Sequence, residues 1–217
     1  GFNILLTRLS GQNVLVVAVP AAGQSAIGEE RLVGHCSNLL PVRSELIAEE
    51  SFADYLKRVK TSVLDAYEHQ NYTYGLLVQR LGLPRDPSRS PLLSAMFNID
   101  RSGFKGLDMG GLQLEITTNR KAFATCDIYF NMLETDSGVV IDCEYNTDLF
   151  DASSIRRWLE HYQTLLESAV AEPDETVSRL PLLSDSARNE QLVERNATAR
   201  DYPRDRCVHE FFEEQVG

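Results

Sequence analysis

The residues with the most evident chemical potential lie in the stretch LVGHCSNLLPVR, residues 32–43, where His35 stands next to Cys36. A histidine can take the proton of a thiol and so create the thiolate nucleophile of a cysteine protease or an acyl-thiol enzyme. Histidine and cysteine are also common ligands of zinc. The stretch is therefore a nucleophile with its base, a metal site, or part of a wall beside chemistry performed elsewhere.

The predicted local structure argues against the nucleophile. The apolar run in this stretch predicts a β-strand, and neighbours in a strand point to opposite faces, so His35 and Cys36 could not form a dyad. The remaining histidines are His69, His161 and His209. His161 lies on a predicted amphipathic helix and His209 lies beyond a polar segment. We therefore expect no catalytic residue in this chain.

The cysteine spacing gives little support to a metal site. The four cysteines, Cys36, Cys126, Cys143 and Cys207, include no C-x-x-C pair, and we expect no bound metal. A predicted hairpin over 124–146 places Cys143 nearest Phe130, so Cys126 and Cys143 would not face each other and are interpreted as small core residues. A reduced, cytoplasmic location fits this cysteine usage best.

The bulk composition gives no support to two classes of partner. The 217 residues carry a net charge of −11, which argues against nucleic-acid binding and gives no support to an anionic membrane. No run reaches the roughly 18 apolar residues that a membrane span needs. The first residues, GFNILLTRLSGQ, have no signal-peptide pattern, and we expect the sequence to be a piece of a longer chain.

Hydrophobic periodicity predicts alternating helices and strands, and hence an α/β fold. Helices are expected over 2–9, 52–69, 74–81 and 152–170, and strands over 14–20, 32–42, 92–99, 112–118 and the two arms of 124–146. Ser51 is expected to cap the second helix. A charged and polar segment, 172–206, predicts a linker, and a new helix is expected over 209–216.

Three segments resemble, in order, motifs of the condensation domains of nonribosomal peptide synthetases. LVGHCSNLLPVR resembles the family's IGxFVNTLPLR, EHQNYTYGLLVQRL resembles HQDYPFExLVExL, and RDPSRSPLLSAMFN resembles RDLSRNPLFQVMFN. The segment from LPLLSDSARNEQ to HEFFEEQV resembles the family's join to an adenylation domain. His35 and Cys36 depart from the family segment, and Thr73 and Tyr74 replace its usual Pro-Phe pair.

The resemblance implies a fold and a division of the chain. The expected fold is one chloramphenicol-acetyltransferase-like half, a mixed sheet with helices packed on it. Residues 1–171 would be the C-terminal subdomain of a condensation domain, 172–206 the interdomain linker, and 207–217 the start of an adenylation domain. The family's catalytic motif, HHxxxDG, belongs to the N-terminal half and is absent here.

The implied function is amide-bond formation between acyl or peptidyl and aminoacyl thioesters held on carrier proteins, with this piece inactive alone. The implied partners are the N-terminal half, carrier domains and the adenylation domain, and phosphopantetheine would arrive on the carriers rather than bind as a cofactor. Two alternatives stay open: a docking module without catalysis, and an epimerisation or heterocyclisation relative. RDPSRSPL favours ordinary condensation over both.

The resemblance also singles out site residues. Asn38, Arg43 and His35 are candidates for the wall of the substrate channel. Asn38 would hydrogen-bond either a substrate amide or the neighbouring loop, since a buried amide needs a partner.

Four further residues are expected to have structural roles. Arg85 and Arg89 would pair with Asp86 and brace their loop, and Asp127 matches a motif aspartate on the polar face of the hairpin.

Overall fold

The chain forms two compact units, Gly1–Leu182 and Leu183–Gly217. The computed structural model describes residues 1–23, 33–84, 86–101, 110–111, 121–135, 138–201 and 205–216. The strand expected over 112–118 and the tip of the predicted hairpin, 136–137, lie outside these described residues.

The first unit is built on a mixed sheet. Within the described residues its strands are β1 Val14–Ala22, β2 Ser37–Glu45, β3 Ala95–Arg101, β4 Ile128–Thr135 and β5 Gly138–Tyr145. The spatial order is β2-β1-β3-β4-β5, in which the two outer pairs are antiparallel and the central strands β1, β3 and β4 are parallel. This arrangement confirms the predicted α/β fold with a mixed sheet.

The helices of this unit begin and end at the residues that local chemistry favours. They are α1 Phe2–Ser10, α2 Phe52–Glu68, α3 Tyr74–Leu81 and α4 Ala152–Ala171. The Ser51 hydroxyl accepts the Asp54 backbone N–H at 3.1 Å, which satisfies one free amide at the start of α2. Gly11 ends α1 in the left-handed conformation, with φ 72°, where glycine avoids a steric cost.

The main core lies between one face of the sheet and the helices α1 and α4. Phe130 in β4 is fully buried, and its ring centre lies 4.6 Å from that of Phe2 in α1 and 5.4 Å from that of Tyr162 in α4. Leu5 and Leu165 are also fully buried. These contacts fix the sheet and both helices relative to one another.

The core continues beyond the residue where the linker was expected to start. Val177 and Leu180 are 0% and 1% exposed, respectively, and belong to the same core cluster. The Arg8 guanidinium donates to the carbonyl of Leu180 at 3.2 Å, and the Val177 N–H donates to the carbonyl of Glu50 at 2.9 Å. The compact unit therefore runs on to Leu182, while the division of the parent protein into domains stays a prediction.

We expect hydrogen exchange to mark this boundary. The backbone N–H groups of Phe52 and Val177 donate to carbonyls of distant segments, so they should exchange slowly. The residues over 195–201 are exposed, and the amides of Arg195, Ala197 and Thr198 have only local bonds, so this segment should exchange fast. Exchange measured by mass spectrometry on the isolated chain tests this. Fast exchange at Val177, or strong protection across 195–201, would contradict it.

The second unit consists of short helical segments. α5, Asp185–Asn189, is capped by Ser184 and continues into a π-helical turn, Glu190–Glu194. The final helix is α6, Val208–Val216, close to the expected span of 209–216. Among the described residues, no helix combines the length and apolar character that crossing a membrane requires.

Candidate functional site

His35 and Cys36 precede β2 rather than lying within it. β2 begins at Ser37, so the prediction of a strand through residues 32–36 is wrong where the structure describes them. His35 and Cys36 are therefore not held on opposite faces of a strand. His35 is exposed. The Cys36 carbonyl accepts the N–H of Gly23 at 2.8 Å, and a Cβ on Gly23 would lie only 2.2 Å from that oxygen. Cys36 therefore closes the ends of the β1–β2 connection through its backbone carbonyl.

Asn38 is held by the loop between α2 and α3. Its amide nitrogen donates to the carbonyls of Gln70 at 2.8 Å and Tyr72 at 3.2 Å. Its amide oxygen accepts the N–H groups of Leu39 at 3.0 Å and Tyr74 at 3.1 Å. These four bonds use both donors and both acceptor positions of the amide. Of the two roles considered for Asn38, the contact with the neighbouring loop is the one with direct partners, and a role in the substrate channel stays a prediction.

Tyr74 extends this contact to the segment before β3. Its hydroxyl donates to the carbonyl of Pro91, and its ring packs against a small cluster of Ala18, Leu93 and Met96. Burial raises the pKa of Tyr74, so the hydroxyl stays protonated and remains a donor at neutral pH.

Arg43 and Asp127 lie at different places on the sheet. Arg43, in β2, is exposed, and its guanidinium lies 3.5 Å from the Glu45 carboxylate. Asp127 directly precedes β4, and its carbonyl accepts the N–H of Asn146 at 3.0 Å, which closes the end of the β4–β5 hairpin. Their assigned roles stay predictions.

The Asp86 loop is braced by a serine. The Asp86 carboxylate accepts the N–H and the hydroxyl of Ser88, at 2.9 and 2.6 Å. The hydrogen bond from the Ser88 hydroxyl is the largest cause that lowers the pKa of Asp86, and the charge of Arg89 makes a smaller contribution in the same direction. Arg85 lies outside the described residues. Asp86 is therefore braced by Ser88, and its pairing with Arg85 and Arg89 stays a prediction.

The loop after Asp86 forms one wall of a polar cleft of about 260 Å³. The opposite wall is residues 124–127, with Asn146 at the end. A larger open cleft of about 870 Å³ lies between 121–124 and 142–148, where Lys121 pairs with Glu144. The described residues that line the two clefts include no histidine, so these walls offer hydrogen bonds and charge but no imidazole base.

The half-buried cysteines Cys126 and Cys143 are poorly suited to nucleophilic chemistry. Burial is the first cause that raises the pKa of Cys126 to about 11 and that of Cys143 to about 12. Cys143 pairs with Phe130 in the β4–β5 register, as the hairpin pattern predicted. Both thiols are therefore protonated at neutral pH, whereas the thiolate is the reactive form. No group of three or more potential metal ligands occurs in the part of the chain that the structure describes.

Two polar residues of the sheet and its helices were missed by the sequence argument. The Asn98 side chain donates to that of Asn131 at 3.1 Å, joining the parallel strands β3 and β4. Tyr55 is 2% exposed, its hydroxyl has no partner among the described residues, and it lines an apolar groove of about 390 Å³. The position of Asn98 in the third motif that resembles the family could have indicated it. The sequence did not indicate Tyr55, because this residue fits the apolar pattern of α2.

Comparison with known proteins places most of the chain in one family. The family model of the Condensation domain matches residues 1–193. The chain is 36% identical to surfactin synthase subunit 1 of Bacillus subtilis (strain 168) over 212 residues. It is 34% identical to tyrocidine synthase 3 of Brevibacillus parabrevis over 215 residues. These matches cover 98% and 99% of this chain but only 6% and 3% of the two relatives.

Solved structures share the fold. A four-domain nonribosomal peptide synthetase, solved with AMP and glycine, matches with a TM-score of 0.84 and 24% identity, over 99% of this chain and 17% of that protein. The first condensation domain of the CDA synthetase matches with a TM-score of 0.67 and 24% identity, over 84% of this chain and 40% of that chain. The likeness extends to a condensation domain from a polyketide synthase, with a TM-score of 0.70 and 21% identity, over 81% of this chain and 41% of that chain.

Proposed function

This chain belongs to the Condensation domain family of nonribosomal peptide synthetases, and we propose that it is the C-terminal part of a domain that forms amide bonds between carrier-bound thioesters. The observation that carries the proposal is the family match over residues 1–193. The fold supports it, since the sheet and helices match those of solved condensation domains.

The proposed reaction is an acyl transfer. The amine of the acceptor attacks the thioester carbonyl of the donor, a C–N bond forms, the C–S bond breaks, and the donor carrier keeps a free thiol. A base takes the proton that the amine loses, and both reactants must be held in near-attack geometry. In the family that this chain resembles, the HHxxxDG motif would supply this base, and the motif is absent from this sequence.

The proposed contribution of this chain is therefore positioning. The segments that resemble the family motifs lie at the start of β2, in the α2–α3 loop and before β3. Tyr74 links them, since its N–H donates to Asn38 and its hydroxyl donates to the carbonyl of Pro91. The N-terminal half would supply the base. Carrier domains would deliver both substrates on phosphopantetheine arms, which are part of the substrates, and an adenylation domain would follow in the parent protein.

The test is reconstitution of amide formation. The isolated chain is incubated with a donor-loaded and an acceptor-loaded carrier protein, and the amide is sought by intact mass, first alone and then with the N-terminal half added. We expect no product from the chain alone. Positioning of the two reactants can lower the activation barrier by about 7–11 kcal/mol, and the chain alone would lose this contribution.

The outcomes separate the alternatives. Product from this chain alone would contradict the half-domain proposal and return the search for a base to His35 and His69. No product from the two halves, with carriers bound to them, would favour the docking module. A change of donor stereochemistry without an amide would favour the epimerisation relative.

A further inference from the structure

We propose that Asn38 and Tyr74 are positioning residues that lock three separate segments of this chain into one unit and so set the geometry of the condensation site. This inference deepens the proposed function and rests on it. The three segments are the start of β2, the loop 69–73 between α2 and α3, and the loop 86–94 before β3.

The first connection is made by one side chain. Asn38 binds carbonyls on both sides of the loop turn, at Gln70 and Tyr72, and accepts the first free N–H of α3, from Tyr74. A helix start leaves such amides without intrahelical partners, so Asn38 caps α3 from a different element. The loop 69–73 therefore has its position set by β2 as well as by its own helices.

The second connection is made by the Tyr74 ring. Its hydroxyl binds the Pro91 carbonyl, and its ring lies against Leu93 and Met96. The next residue, Leu92, has φ 59°, a left-handed conformation that a leucine adopts only when its surroundings hold it there. The hydroxyl bond at Pro91 is one contact that holds this strained turn.

The loop 86–94, which is fixed in this way, forms one wall of the polar cleft. Ser88, Arg89 and Leu93 line the cleft on one side, and residues 124–127 line it on the other. A displacement of the loop would move all of its polar groups together. Asn38 and Tyr74 do not line this cleft, so their substitution would alter its walls through the loop.

Hydrogen exchange tests the brace without any assumption about activity. In Tyr74→Phe the ring remains but the bond to Pro91 is lost, so the N–H of Leu93, bonded to the Ser90 carbonyl, should exchange about tenfold faster. The matched control is Tyr72→Phe, since that side chain is 45% exposed and only its carbonyl contacts Asn38. Unchanged exchange at Leu93 in Tyr74→Phe would overturn the brace.

Kinetics test the positioning role. With both halves of the domain and loaded carriers, Tyr74→Phe and Asn38→Ala should each lower kcat about tenfold, with KM within about twofold, because geometry rather than binding is lost. Since both residues act through one brace, the double variant should lose little more than the worse single variant. Asn38→Ala combined with Tyr72→Phe is the control pair. Its effects on kcat should add, because only the carbonyl of Tyr72 contacts Asn38.

The outcomes distinguish the two proposals. Faster loop exchange with an unchanged kcat, or fully additive losses in the double variant, would overturn the positioning role. Absence of product with both unsubstituted halves would contradict the proposed function instead, while the exchange result would still decide whether the brace exists.

Discussion

Substituting Phe130 by alanine is expected to lower the free energy of unfolding of the first unit by about 3–5 kcal/mol. The side chain is 0% exposed and stands at the meeting point of the sheet with two helices, in ring contact with Phe2 and Tyr162. Its removal loses burial and both aromatic contacts, and leaves a cavity that rigid neighbours on three elements cannot fill.

Chemical denaturation followed by circular dichroism measures this effect. The matched control is Phe123→Ala, because that phenylalanine is 87% exposed and its loss should change stability by less than about 0.5 kcal/mol. A midpoint for Phe130→Ala equal to that of Phe123→Ala would show that the core is not packed around β4.

Much of this core could be predicted from the sequence because periodicity and caps act locally. Ser51 and Gly11 stand at helix ends for reasons that involve only their own neighbours. The alternating pattern around the β4–β5 turn was enough to place Cys143 opposite Phe130. The parallel pairing of β3 with both β1 and β4 could not be obtained this way, since it depends on segments far apart in the chain.

The depth of burial along a helix was harder to predict. The apolar spacing of α4 predicts Trp158 at the centre of its apolar face, but Trp158 is only half-buried and packs edge-on against Phe150, with ring centres 5.1 Å apart. The most buried positions are Tyr162 and Leu165. Periodicity gives the direction of the apolar face, whereas the position of α1 over the sheet decides which part of that face is covered.

Tertiary packing also decided where the core ends and which partners Asn38 has. Val177 and Leu180 are isolated apolar residues in a polar stretch, so no periodicity marks them as core, yet both are buried. At the site, the family resemblance singled out Asn38, but only the α2–α3 loop folded beside β2 supplies its four partners.

Tyr162 is expected to make the first unit lose stability in strong alkali. The residue is 2% exposed, and burial raises its pKa to about 12 from an ordinary value of 10.0. A folded-state pKa above the unfolded value favours the neutral phenol in the folded protein. The stabilisation is therefore complete below pH 10.0 and is lost as the pH rises toward about 12, by about 3 kcal/mol in total.

The substitution Tyr162→Phe isolates this contribution. Phenylalanine keeps the ring contacts with Phe2 and Phe130 and loses only the hydroxyl, which lies 3.7 Å from the Met132 sulfur. Burial also raises the pKa of Tyr129, so some alkaline loss should remain in the variant. The difference between the two urea-unfolding curves, followed from pH 9 to 12, should grow with pH in favour of the variant. A constant difference would mean that the hydroxyl of Tyr162 reaches water, and that α4 does not seal this side of the core.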